Sequence, residues 1–112
     1  MKRVELSDKD WQRVHAIARD LALDVDRNEL GKAMSYFRLH RKKEDFLTLL
    51  ERLSRSQEYV RSQQTRTYFE RILRTCRQYL AGVDDAHALV MVSWAFRLVT
   101  YYQNKTEVSS VC

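Results

Sequence analysis

The stretch that most constrains the fold of this chain lies near its C-terminus, over residues 86–102, and reads AHALVMVSWAFRLVTYY. Apolar side chains there occupy most sides of a helix: Leu89, Val90, Met91, Val92, Trp94, Ala95, Phe96, Leu98, Val99, Tyr101 and Tyr102. A helix that is apolar nearly all round belongs in a protein interior, with other helices packed on several of its faces. The pattern therefore predicts a buried C-terminal helix with amphipathic helices wrapped around it.

The alternative interpretation of this stretch is a membrane-spanning helix. A span needs about 20 predominantly apolar residues, and this shorter run also carries His87, Ser93, Arg97 and Thr100. Arg97 lies too deep in the run to reach a membrane interface easily. We therefore expect a core helix and no membrane partner.

The scarcity of turn residues points to a helical protein. The chain has no proline and only two glycines, Gly31 and Gly82, among its 112 residues. An all-β fold needs turn residues about every eight to twelve positions. We expect an all-α fold, a single helical bundle of about five helices over residues 1–105, followed by a disordered tail over 106–112 that shows no apolar periodicity.

Apolar residues recur at three- and four-residue spacing in four further segments, each typical of an amphipathic helix. Ser7 is expected to cap the first of these helices, because its hydroxyl precedes the carboxylates of Asp8 and Asp10. Gly82 is expected to end the fourth helix in a left-handed conformation. The predicted helices span residues 7–24, 26–41 (or 28–41), 43–61, 65–81 and 86–102.

The basic charge of the chain is concentrated in its middle. Residues 38–77 carry eleven basic and five acidic side chains, whereas the remainder carries nine basic and ten acidic ones. Fourteen of the basic residues are arginines and six are lysines. The planar guanidinium suits phosphate recognition, and several cations on one surface are what binding to a nucleic-acid backbone requires.

Ten residues of this segment are the predicted nucleic-acid contacts: Arg41, Lys42, Lys43, Arg52, Arg55, Tyr59, Arg61, Arg66, Arg74 and Arg77. Five arginines, at positions 52, 55, 66, 74 and 77, are expected to line one groove between the third and fourth helices. Tyr59 could stack on an unpaired base there. The alternative is a solvated or protein-binding face on which Glu70 pairs with arginines at i,i+4 spacing.

No pattern in the chain points to catalysis. His15, His40 and His87 fall on three different predicted helices, and no metal-binding or phosphate-loop motif is present. Cys76 falls at a core-type position, and the N-terminal stretch MKRVELSDKDW lacks the apolar run of a secretory leader. We expect a cytoplasmic protein with reduced cysteines, no metal, no cofactor and no enzymatic activity.

The layout and the closing residues WAFRLVTYYQN, positions 94–104, resemble a known family. They are similar to the small all-helical subunits of class 1 CRISPR effector complexes and to the related C-terminal helical domain of their large subunit. The close correspondence covers residues 88–104 together with the short helical layout and the basic middle. The resemblance implies copies stacked along a ribonucleoprotein filament that contact RNA or single-stranded DNA through arginines and lysines, with no catalytic residues.

Two functions follow as expectations. The first is a non-catalytic, nucleic-acid-binding small subunit of a ribonucleoprotein complex, with RNA or single-stranded DNA, other subunits and copies of itself as partners. The second is a helical adaptor or assembly subunit that binds protein and has no nucleic-acid role, because helical bundles of this size host many functions. Exposure of Tyr101 and Tyr102 would favour a packing surface.

Overall fold

The computed structural model describes residues 4–23, 27–56 and 62–111, with side chains described for 4–23, 28–56 and 62–104. These residues form five α-helices and no strand: α1 (Asp8–Ala22), α2 (Arg27–His40), α3 (Lys43–Arg55), α4 (Gln63–Tyr79) and α5 (Asp85–Val111). The predicted all-α bundle is confirmed. No described helix is both long and apolar enough to cross a membrane.

Local sequence signals set several helix ends. The hydroxyl of Ser7 accepts from the backbone N–H of Asp10 at 3.1 Å, and the carboxylate of Asp10 accepts from the backbone N–H of Ser7 at 3.1 Å. This reciprocal pair satisfies two donors that the start of α1 would otherwise leave free. At the far end of α4, Gly82 adopts a φ of 77°, which glycine tolerates without steric cost. The predicted cap at Ser7 is confirmed, and so is the left-handed conformation of Gly82, although α4 ends at Tyr79 with Leu80 as its C-cap and Gly82 lies in the turn that follows.

The helices pack as two pairs joined by α2. Trp11 of α1 lies beside Trp94 of α5, with ring centroids 5.7 Å apart, and His15 hydrogen-bonds the hydroxyl of Tyr102 at 2.7 Å. Because contacting positions advance together along both helices, α1 and α5 run in the same direction. The second pair is α3 and α4; α2 packs on α3, α4 and α5, and α1 packs on α4. Over the described residues, the backbones of α4 and α5 do not approach each other closely.

The core lies between the helices. Phe37 of α2 stacks on Phe46 of α3 with ring centroids 4.3 Å apart, and both side chains are fully buried. The other large, fully buried side chains include Ile17, Leu21, Phe69, Leu50, Ile72, Leu80 and Met91. All five helices contribute to one core, as the apolar periodicity predicts.

Helix α5 is buried along one side only, which corrects the expected all-round burial. Ala88, Met91, Ala95 and Val99 are fully buried, whereas Trp94 is 41% exposed and Tyr101 is 55% exposed. The helices that approach α5 are α1, α2 and α3, and the positions of Trp94, Arg97 and Tyr101 are left exposed. The apolar residues of the opposite side therefore face outward.

Three predicted boundaries differ from the structure. Helix α3 ends at Arg55, before an extended Ser56, and α4 begins at Gln63, earlier than the predicted residue 65. Helix α5 continues to Val111, past the predicted end at residue 102. The division of the chain at residue 105 stays a prediction. The predicted fade of the first helix over residues 24–26 falls outside the described residues.

Candidate nucleic-acid interface

An open groove of about 370 Å³ lies between α3 and α4. Its walls consist of polar side chains from the two helices over one apolar residue: Glu51, Ser54, Arg55, Glu70, Leu73, Arg74 and Arg77. The groove forms because the buried faces of α3 and α4 pack together, which leaves the residues flanking each apolar stripe opposite one another. We call this feature the arginine groove, after Arg55, Arg74 and Arg77.

Ion pairs fix the guanidinium groups of this groove. Glu51 of α3 accepts from Arg55 at 3.2 Å on its own helix and from Arg77 of α4 at 3.1 Å. Arg74 pairs with Glu70 at 3.0 Å, one turn earlier in α4. The arginine side chains remain between 53% and 79% exposed, so each pair stabilises the fold by only about 0–1 kcal/mol.

The charge of the arginine groove is positive but small. Three guanidinium groups face two carboxylates, because Glu51 serves Arg55 and Arg77 at once. A guanidinium carries five N–H donors, and a single carboxylate contact leaves most of them available to another acceptor. The groove can therefore hold an anionic oxygen with side chains that are already oriented.

The structure brings together three of the predicted contact residues and separates others. Arg52 and Arg66 are both described, and neither lines the arginine groove. Arg52 is exposed on α3, and Arg66 is half-buried in the first turns of α4. Tyr59 and Arg61 lie outside the described residues, so their predicted contacts stay predictions.

Lys43 makes contacts within the fold, and its predicted contact with nucleic acid stays a prediction. Its ammonium group donates to the carbonyl oxygens of Leu80 at 3.0 Å and Val83 at 2.8 Å, and its side chain is half-buried. These contacts hold the start of α3 against the end of α4. The neighbouring Arg41 and Lys42 are exposed at the turn between α2 and α3, where Arg41 has a φ of 57°.

A second exposed surface lies on α5, within the apolar run that is predicted to be buried. Trp94, Arg97 and Tyr101 follow one another at three- and four-residue spacing on the exposed side of α5, and we call them the aromatic stripe. The Arg97 guanidinium lies over the Trp94 ring, 5.4 Å from its centroid. The arginine within the apolar run was the signal that could have identified this outward side.

His87 and Cys76 are each placed by the fold, one by an ion pair and the other by burial. The His87 ring contacts the carboxylate of Asp84 at 2.9 Å, and this hydrogen bond raises the pKa of His87. The backbone N–H of His87 donates to the same carboxylate at 2.8 Å and lowers the pKa of Asp84, and the ring contact lowers it further. Burial raises the pKa of the Cys76 thiol to about 12. Among the side chains that the structure describes, no three His, Cys, Asp or Glu residues group in a way that could hold a metal ion.

Comparisons with known proteins identify no relative. No protein-family model, curated protein or solved structure matches this chain. The resemblance to CRISPR small subunits therefore stays an expectation that rests on residues 88–104 and on the helical layout.

Proposed function

We propose that this protein is a non-catalytic, nucleic-acid-binding small subunit of a cytoplasmic ribonucleoprotein complex, and that it contacts the backbone of RNA or single-stranded DNA through the arginine groove. The observation that supports the proposal is the convergence of Arg55, Arg74 and Arg77 from two helices on one open groove. Backbone contact fits this groove better than base reading, because phosphate contacts position a strand and need no base-specific donor pattern.

Phosphate would bind here by joining ion pairs that already exist. Glu51 and Glu70 hold the guanidinium forks in place, which reduces the conformational entropy that binding would otherwise cost, but the repulsion between their carboxylates and a phosphate is the larger effect. A phosphate oxygen then accepts from the N–H donors that the carboxylates leave available. The small net charge of the groove predicts weak binding by the isolated protein, with the rest of the affinity coming from other subunits.

The magnitude of the salt effect follows from the number of arginines. Each contact with a single strand contributes about −0.7 to the slope of log affinity against log salt. Three contacts would weaken binding about 20-fold between ~50 and ~200 mM salt. Binding through all five arginines of the predicted groove would lose more affinity over the same range of salt.

The test is fluorescence anisotropy with labelled single-stranded RNA and DNA at two salt concentrations. Arg74→Glu/Arg77→Glu should lower affinity at least about tenfold and leave the circular dichroism spectrum helical. The matched control is Lys9→Glu/Arg19→Glu, which makes the same change in net charge on two exposed residues of α1. Equal losses in the two variants would reduce the effect to overall charge and reject the groove as the binding site.

A second candidate function is a protein-binding adaptor, and the exposure of Trp94 and Tyr101 favours it. Tryptophan, tyrosine and arginine are the residue types that dominate protein–protein hot spots. The two candidates differ in a simple way, because an adaptor binds no RNA at any salt concentration and is unaffected by reversal of Arg74 and Arg77.

A further inference from the structure

Other aromatic side chains support the exposed rings of the aromatic stripe. Trp94 rests on Trp11 of α1 at an interplanar angle of 60°. Tyr101 contacts Tyr102 edge-on at 5.2 Å, and Tyr102 is in turn hydrogen-bonded to His15 at 2.7 Å. Each exposed ring therefore has a second ring behind or beside it, so contact with a ligand would cost little side-chain entropy.

The groove beside the stripe, on its α2 side, is cationic and has no carboxylate in its lining. This groove of about 260 Å³ between α2 and α5 is lined by Arg38 and Arg97, with apolar and small side chains between them and no acidic residue. The sequence has no aspartate or glutamate from residue 30 to 43 or from 86 to 106. This contrasts with the arginine groove, where two carboxylates face three guanidinium groups. The charge here complements an anionic chain.

Arg97 distinguishes between the two classes of macromolecule that aromatic residues could bind. It lies in the middle of the stripe, and its guanidinium group covers part of Trp94. A protein surface docked on the stripe would remove this charge from water, at a cost that only a correctly placed carboxylate would offset. A single strand instead supplies a phosphate next to every base, so it can pair the cation and stack on the rings together.

We infer that the aromatic stripe is a stacking site for unpaired bases, and that the phosphates of the same strand lie along Arg97 and Arg38. Trp94 and Tyr101 each stack on one base, and their seven-residue separation places them about 10 Å apart along the helix. The inference rests on the proposed nucleic-acid function and gives it a preference for single strands, because paired bases offer no free face. The stripe is a surface separate from the arginine groove, because no residue of α5 lines that groove.

The experiment compares three labelled probes in anisotropy titrations of the full chain. These are a 15-nucleotide oligouridine, a strand of equal length that has the phosphodiester backbone without bases, and a duplex RNA of the same length. The wild-type protein should prefer oligouridine over the baseless strand by at least about fivefold, the smallest effect expected from one of the two stacked bases. Trp94→Ala/Tyr101→Ala should remove this preference and leave affinity for the baseless strand unchanged. Leu39→Ala is the matched control, because Leu39 is 77% exposed and lies outside the stripe.

A spectroscopic measurement locates the contact independently. The chain has two tryptophans, so Trp11→Phe leaves Trp94 as the only tryptophan emitter and preserves an aromatic support beneath it. Oligouridine should quench this emission, whereas the baseless strand should not. Quenching that is equal for both strands would exclude stacking on Trp94.

The outcomes separate this inference from the proposed function. Equal wild-type affinity for oligouridine and the baseless strand would overturn the stacking site and retain phosphate binding. A preference that Trp94→Ala/Tyr101→Ala leaves intact would also overturn it. Binding that falls with the double aromatic variant but survives Arg74→Glu/Arg77→Glu would reject the arginine groove and support the stripe. Absence of binding to all three probes would overturn both and favour the adaptor.

Discussion

The ammonium group of Lys43 donates to the carbonyl oxygen of Val83 at 2.8 Å, which joins the first residue of α3 to the turn between α4 and α5. The backbone N–H of Lys43 also donates to the carboxylate of Asp85 at 2.9 Å. One residue thus ties together three helices through a single junction. A lysine that the charge pattern assigns to nucleic acid thus also supports the fold.

We expect Lys43→Met to destabilise the protein and to leave RNA affinity unchanged. The substitution removes two charge-assisted hydrogen bonds and leaves the carbonyl groups of Leu80 and Val83 without this donor. The free energy of unfolding, measured by urea denaturation, should fall by about 1–3 kcal/mol. The control is Lys42→Met, because Lys42 is exposed and should change stability little. Equal effects of the two substitutions would contradict this role for Lys43.

The parts of the fold that could be predicted from sequence are those that local chemistry determines. Ser7 and Asp10 stand at the spacing of a capping box, and Gly82 stands where a helix must end in a left-handed turn. The fold class followed from apolar periodicity and the lack of proline. Periodicity reports which residues are apolar, however, and not which helix covers them. The pattern therefore predicts a buried Trp94 and leaves the exposure of Tyr101 open, whereas both side chains are exposed in the structure.

The candidate site was predictable only in part, for a similar reason. Arg74 and Arg77 share one face of α4 by helical spacing, and their position in the groove follows from it. Helical spacing does not show which distant residues a cation will contact in the folded chain. Lys43 finds its carbonyl acceptors about 40 residues later, and Arg77 finds Glu51 on another helix. Counting charges along the chain therefore does not show which cations already have partners within the fold.

We expect Phe46→Ala to be more destabilising than Trp94→Ala, although tryptophan is the larger residue. Phe46 is fully buried and stacked on Phe37, so its truncation leaves a cavity and should cost about 3–5 kcal/mol. Trp94 is 41% exposed, so its truncation should cost about 2 kcal/mol, less than full burial would predict. Urea denaturation of both variants measures the difference, and the reverse order would restore a central, buried position for Trp94.

The Cys76 thiol should be unreactive in the folded protein. It is fully buried, and burial raises its pKa to about 12, so almost no thiolate is present near neutral pH. In a Cys112→Ser background, a chromogenic disulfide reagent should label Cys76 only as fast as the protein unfolds, and at once in denaturant. Rapid labelling of the native protein would show that this part of the core opens without global unfolding.

The contact between His87 and Asp84 predicts a pH dependence of stability. The hydrogen bond to Asp84 raises the pKa of His87, and the negative charge of Asp10 acts in the same direction. The folded state therefore binds a proton more tightly at His87 than the unfolded state does. The stabilisation is fully present below about pH 6.5, the ordinary histidine pKa, and is lost as the pH rises through the raised value. Chemical denaturation across pH 5–8 should show a steeper decline for wild type than for His87→Gln, and identical slopes would contradict this prediction.

The carboxylate of Glu51 competes with any phosphate in the arginine groove, so its removal should tighten RNA binding. Glu51→Gln ends the ion pairs with Arg55 and Arg77 and releases both guanidinium groups toward a ligand. We expect affinity for single-stranded RNA to rise about fivefold, the effect of ~1 kcal/mol of charge interaction in water, with a steeper salt dependence. Stability should change by less than about 1 kcal/mol, because the pairs are solvent-exposed.

Glu44→Gln removes an equal charge from an exposed position of α3 outside the groove, and it should have a smaller effect. If the two variants tighten binding equally, overall charge rather than the groove accounts for the gain, and if neither does, the strand binds elsewhere.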